Sequence, residues 1–144
     1  MSAPATSMPI RHISLEAAQK AVASAVEHAH TLGIRVNVAV CDGSGVLTSF
    51  ARMPGAFLHS VDIAIDKAYT SASFGIPTAA FMGILETDKA LLTGLPQRPR
   101  LVVFGGGLPI HEDGVLIGGI GVSGGSAEQD EDCARAGLKS IGLA

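Results

Sequence analysis

The chain of 144 residues has no tryptophan, one tyrosine and five phenylalanines, so its core has to be assembled from small and aliphatic side chains. Only two cysteines occur, Cys41 and Cys133, too few for a disulfide-stapled scaffold, and both are expected to be reduced thiols. Charged residues are scarce at 16%, and the ten basic residues are outnumbered by thirteen acidic ones. With no basic excess, nucleic acid is not expected as a partner. No apolar run approaches the ~18 residues of a membrane span, so no membrane partner is expected either. The opening stretch MSAPATSMPI lacks the basic start and apolar centre of a secretory signal, which leads to the expectation of a cytoplasmic protein. Cys-x-x-Cys and His-Glu-x-x-His spacings are missing, so no metal site is expected. A phosphate-binding Gly-Lys-Ser/Thr loop and a Gly-x-Ser-x-Gly nucleophile elbow are missing too.

What is present is glycine and aliphatic bulk. Hydrophobic residues make up 47% and glycines number 18, nine of them between Gly105 and Gly125. This composition excludes a disordered chain and suits one domain. Sparse charge with a mean hydropathy of +0.40 leads to the expectation that part of the surface is covered by copies of the same chain.

Residues 1–13 are Pro-rich and read as an irregular tail, and residues 14–144 as a single domain. Ser14 opens a helix whose Leu15, Ala18, Val22, Ala25, Ala29 and Leu32 recur at helical spacing before Gly33 stops it. Val36–Val40 and Val46–Arg52 flank Asp42-Gly43-Ser44-Gly45 as a hairpin. A second helix is expected over His59–Phe74, then short helical turns, a strand at Leu101–Phe104 and a glycine-interrupted strand at Val115–Val122. Ser126 and Gln129 form a capping box for a last helix. Short hairpin links force antiparallel pairing. The expected fold is α+β: one antiparallel sheet of about five strands flanked by α-helices.

Three strings of residues carry a more specific signal. They are Val40-Cys41-Asp42-x-x-Gly45-x-Leu47-x-x-Phe50-x-Arg52-Met53-x-Gly55-Ala56, then Lys67-Ala68-x-Thr70-Ser71-Ala72-x-Phe74, and then Gly105-Gly106-Gly107-x-Pro109-Ile110 with Gly118-x-Ile120-Gly121-Val122-Ser123-Gly124-Gly125 and Gln129-Asp130-x-x-Cys133-Ala134. Together, over residues 14–142, these strings resemble the GlcG/HbpS-like family. The resemblance implies a profilin-like sandwich and homo-oligomers, hexamers or octamers. It implies two kinds of ligand: haem in some members, and small metabolites of acid or aromatic catabolism for others. Pro54 departs from the family pattern, where many relatives carry Asp.

Several residues could carry chemistry. Arg52 ends a strand before a Pro-Gly break and offers a planar fork to a carboxylate, or else makes a surface ion pair. Gly105, Gly106 and Gly107 could curl their amides into an anion nest, or simply permit a tight turn. Lys67 lies among Ala and Ile, where a lysine is paired or chemically active. His111, Glu112, Asp130 and Glu131 are candidate proton carriers, although hairpin turns and helix starts also favour acids. The leading expectation combines them: Arg52, Lys67 and the three glycines hold a small carboxylate-bearing metabolite, and the acids or His111 move a proton. Hydrolysis, hydration or tautomerisation would follow without a required cofactor. The alternative is a haem-binding protein, with Thr70 as the position the resemblance links to iron and His28 as a lone candidate ligand. The leading expectation needs Arg52 and the glycine curl to face one hollow.

Overall fold

The computed structural model describes residues 2–144. Helix α1 (Leu15–Leu32) is capped by Ser14, whose side chain accepts from the Ala17 amide, and it ends at Gly33 with φ +69°. Strands β1 (Asn37–Asp42) and β2 (Leu47–Arg52) form the expected hairpin, its turn tied by the Asp42 carboxylate accepting from the Ser44 and Val46 amides. Helix α2 (Ser60–Phe74) stops at Gly75. Two short helices follow, α3 (Phe81–Leu85) and α4 (Lys89–Gly94). Strands β3 (Gly107–Glu112) and β4 (Val115–Ser123) turn through Asp113 and Gly114, both at positive φ, as a two-residue hairpin requires. Helix α5 (Ala127–Ser140) starts on the expected capping box of Ser126 and Gln129.

The sheet among the described residues has four antiparallel strands in the order β2-β1-β4-β3. Where about five strands were expected the sheet has four, and the third lies at Gly107–Glu112 and not at Leu101–Phe104, a segment held by the Thr70 hydroxyl. It donates to Arg100 O at 2.9 Å and accepts from Val102 N at 3.1 Å, tying the chain to α2 instead of to a ladder. Pairing starts only at Gly107, inside the glycine cluster. Pro109 is tolerated there because β3 is an edge strand.

Helices α1 and α5 cover one face of the sheet over a core of Val36, Val38, Val40, Ile110, Ile120 and Val122. Helix α2 covers the other, where the core is smaller: Ala39, Cys41, Ala64, Ala68 and Ala72. No helix among the described residues is long and apolar enough to cross a membrane.

Candidate functional site

On the α2 face, β4 presents glycine instead of side chains. A Cβ at Gly121 would sit 2.1 Å from Ala64 O, and one at Gly119 2.3 Å from Ala68 O. Helix backbone therefore lies directly on strand backbone. That contact buries Lys67, one turn along α2, to 1% exposure. Its ammonium donates to Val122 O at 2.8 Å and to Asp130 Oδ2 at 3.2 Å. Asp130, 3% exposed, lies in the first turn of α5, and its other oxygen accepts from Gly125 N at 2.8 Å. Gly106, at φ +127°, passes so close that a Cβ there would lie 2.5 Å from Nζ. Phe104 sets its ring 5.2 Å from the same nitrogen.

Burial pushes the Lys67 amine below its ordinary value and the Asp130 carboxyl above its own, with each partner's charge opposing part of that shift. A charged pair so placed is costly to desolvate and is therefore weak as a purely stabilising device. The pair opens onto a cleft of about 180 Å³ whose walls include Phe57, Ser60, Phe104 and Ser123. Ser60 and Ala127, the first residues of α2 and α5, both line it, so two helix N-termini point their positive ends at one hollow.

Of the residues expected from sequence, the structure brings Lys67, Asp130 and the Gly105–Gly107 turn together. The glycines act there by making room. Gly107 N donates to Thr78 Oγ1 at 2.9 Å and Gly106 O accepts from Val122 N at 2.9 Å, so the curl is tied into the fold and not laid out as an anion nest.

Arg52 is not part of this cleft. It lies on β2 and the glycine turn leads into β3, the two opposite edges of the sheet, about 14 Å apart at three strand spacings. Its guanidinium donates to Ala56 O at 2.7 Å and braces the loop after β2. His111 and Glu112 lie at the far end of β3, about 15 Å along the strand from Gly107. Glu112 pairs with Arg11 and Glu131 with Arg135, both at the surface. Within one chain, the set expected to hold a carboxylate and move its proton, a set that two subunits could share, does not converge. Sequence reasoning missed the Ser60 and Ser123 walls and the aromatic lips Phe57 and Phe104. The alternation Gly119-x-Gly121 was the signal that a helix would press there.

Two other places concern the haem alternative. His28, half-buried on α1, lines a groove of about 370 Å³ between α1 and α5 together with Asp132, Arg135 and Lys139. Thr70 is 1% exposed, with its hydroxyl engaged at both donor and acceptor as described above. The hollow beside it holds only about 170 Å³, and the Arg100 guanidinium there stacks 3.7 Å over Tyr69 and bonds Asp66.

A family described as "Haem degrading protein HbpS-like" matches residues 13–139, and the chain belongs to it. The corrinoid adenosyltransferase PduO of Salmonella typhimurium is 38% identical over 122 residues, covering 83% of this chain and 36% of PduO. The chain thus spans little more than a third of that relative's length. A crystal structure of the Klebsiella pneumoniae protein ORFY superposes with a TM-score of 0.91 at 32% identity, covering 99% of this chain and 100% of the other. The crystal structure of a PduOC:heme complex superposes with a TM-score of 0.85 at 36% identity, covering 92% and 97%.

Proposed function

We propose that this protein binds haem, with His28 as the residue that meets the iron. The supporting observation is the donor set in the α1–α5 groove. A half-buried imidazole, the commonest protein donor to haem iron, shares the groove with the carboxylate of Asp132 and with two cations, Arg135 and Lys139, suited to the carboxylates at the edge of the macrocycle. The groove's volume of about 370 Å³ lies in the range of small-molecule sites. Thr70 does not fit the role, since its hydroxyl already has both partners and the adjoining hollow is half the size. The family description and the haem complex of a neighbour at 36% identity support the same ligand. Bound haem would supply a redox-active iron. The test is titration with hemin: a saturable Soret band is expected, lost or shifted in His28→Ala and kept in Thr70→Ala. A band unaffected by His28→Ala overturns the assignment.

A small carboxylate-bearing ligand is also supported, at a different place. Lys67, one of the expected carboxylate holders, lines a cleft, and the two helix N-termini there favour negative charge. We infer binding without the hydrolytic, hydrating or tautomerising machinery expected from sequence, because Arg52, His111, Glu112 and Glu131 lie elsewhere. Lactate is expected to shift backbone amide resonances around Ser60, Ser123 and Gly124, and Lys67→Met to remove the shifts.

Self-association, as a hexamer or octamer, is a further part of the proposal. Phe57, Leu58, Phe74 and Phe104 are each at least half exposed, which supports a covered surface in solution. Light scattering on the eluted peak measures it.

A further inference from the structure

Resting on a carboxylate ligand in the Lys67 cleft, we propose that this ligand is a 2-oxo acid and that Lys67 captures its carbonyl carbon as an imine. The cleft is small, about 180 Å³, below the usual range for drug-sized ligands, and it suits an acid of a few carbons. It places three chemical features side by side. Lys67 lines it, almost wholly buried, with its amine held by Val122 O and Asp130. The Asp130 carboxylate touches that amine at 3.2 Å. Two helix N-termini and the Ser60 and Ser123 hydroxyls form the walls, where a carboxylate finds donors. A ligand with its carboxylate on the donors and an electrophilic carbon next to it presents that carbon to Nζ. Phe57 and Phe104, both more than half exposed, line the open side, where an apolar tail finds contact.

Each proton has a place to go. The Lys67 ammonium passes one proton to Asp130, and the free amine attacks the carbonyl carbon, forming the C–N bond. The proton from nitrogen moves to the former carbonyl oxygen, giving a carbinolamine. Asp130 returns its proton to that hydroxyl, the C–O bond breaks and water leaves. The product is a protonated imine beside an Asp130 carboxylate, so the charges of the resting pair are restored and the only by-product is one water. Burial pushes the Lys67 amine below its ordinary value, which lowers the cost of the first transfer. Asp130 is also held for this work: its second oxygen is fixed by Gly125 N at 2.8 Å, so the oxygen facing Nζ is the one left to shuttle.

The experiment uses the full chain, pyruvate and sodium cyanoborohydride, which reduces protonated imines, followed by mass spectrometry of the proteolysed protein. Lys20, Lys89 and Lys139 are exposed and act as internal controls. The expected result is labelling concentrated at Lys67, slowed at least ~100-fold in Asp130→Asn, the size of a general acid–base contribution. Label confined to the exposed lysines, or none, overturns the inference, and the mapping on the wild-type chain does so whether or not the variant folds. Lactate, which has the carboxylate but no carbonyl, separates the two levels. Lactate binding without trapping of pyruvate leaves the carboxylate site standing and removes the imine. Failure of both removes the site as well.

Discussion

The two faces of one sheet solve the same packing problem differently. Toward α1 and α5 the strands offer Val and Ile, and the interface is an aliphatic core with Cys133 and Ala134 fully buried. Toward α2 the same strands offer Gly119 and Gly121 on β4 with Ala39 and Cys41 on β1. The first face keeps the helices at side-chain distance and buries oil. The second lets a helix approach until carbonyls graze the strand, and the space this closes leaves Lys67, Thr70, Ser71 and Asp130 buried as polar groups. Buried polar groups are therefore a property of the small-residue face, and the bulky face contributes an aliphatic backing and the surface groove that His28 lines.

The contrast can be broken from either side. Asp130→Ala leaves the Lys67 ammonium without its counter-charge in the interior and is expected to cost about 3–5 kcal/mol in urea unfolding. The paired change Lys67→Met with Asp130→Leu should recover most of that loss, because removing both charges also removes the desolvation penalty. On the opposite face, Ile120→Ala removes a fully buried side chain and is expected to cost about 2–5 kcal/mol, by a cavity and not by a charge. Gly119→Ala tests the close approach itself: the added methyl meets Ala68 O, and a loss of about 1–3 kcal/mol is expected with α2 displaced outward. Gly83→Ala, a helical position with nothing within 4 Å of the new methyl, should stabilise by about 0.5–1 kcal/mol and shows that glycine matters only where backbone approaches backbone.

The smallest expected effect is none. Burial pushes the Cys41 thiol up to about 11 and the Cys133 thiol up to about 12, so on both faces the reactive thiolate is absent near neutral pH. Neither should react with a disulfide reagent at pH 8 until the chain unfolds. The folded state keeps these protons in the window above the ordinary value of 9.0, where the unfolded chain has lost them, so stability should fall as pH rises through that window.

Much of this molecule was legible in its residues. Ser14 with Gly33, the Asp42-to-Gly45 turn, Asp113-Gly114 and the Ser126–Gln129 box are local devices, and each marks an element boundary that the fold uses. The family was legible too, since its strings, including the Asp42-to-Gly45 turn, the Lys67–Phe74 stretch and the glycines after Gly105, are contiguous in the chain. The site was legible only in part. Lys67 stood out as a lysine among small residues, and Asp130 as an acid in a first helical turn, but nothing local says that residues 63 positions apart meet at 3.2 Å. Arg52 was expected at the centre for sound local reasons, and the strand order moved it to the far edge. The Leu101–Phe104 stretch has strand-like residues, yet the hydroxyl of Thr70, thirty residues earlier, holds it out of the sheet.

The sequence alone determined where helices and turns begin and end, because capping hydroxyls, positive-φ glycines and hydrophobic period act within a few residues of one another. Tertiary structure decided which residues share a cavity. That outcome depends on the order of strands in the sheet and on how closely α2 can press against β4, and both are set by contacts between segments far apart in the chain.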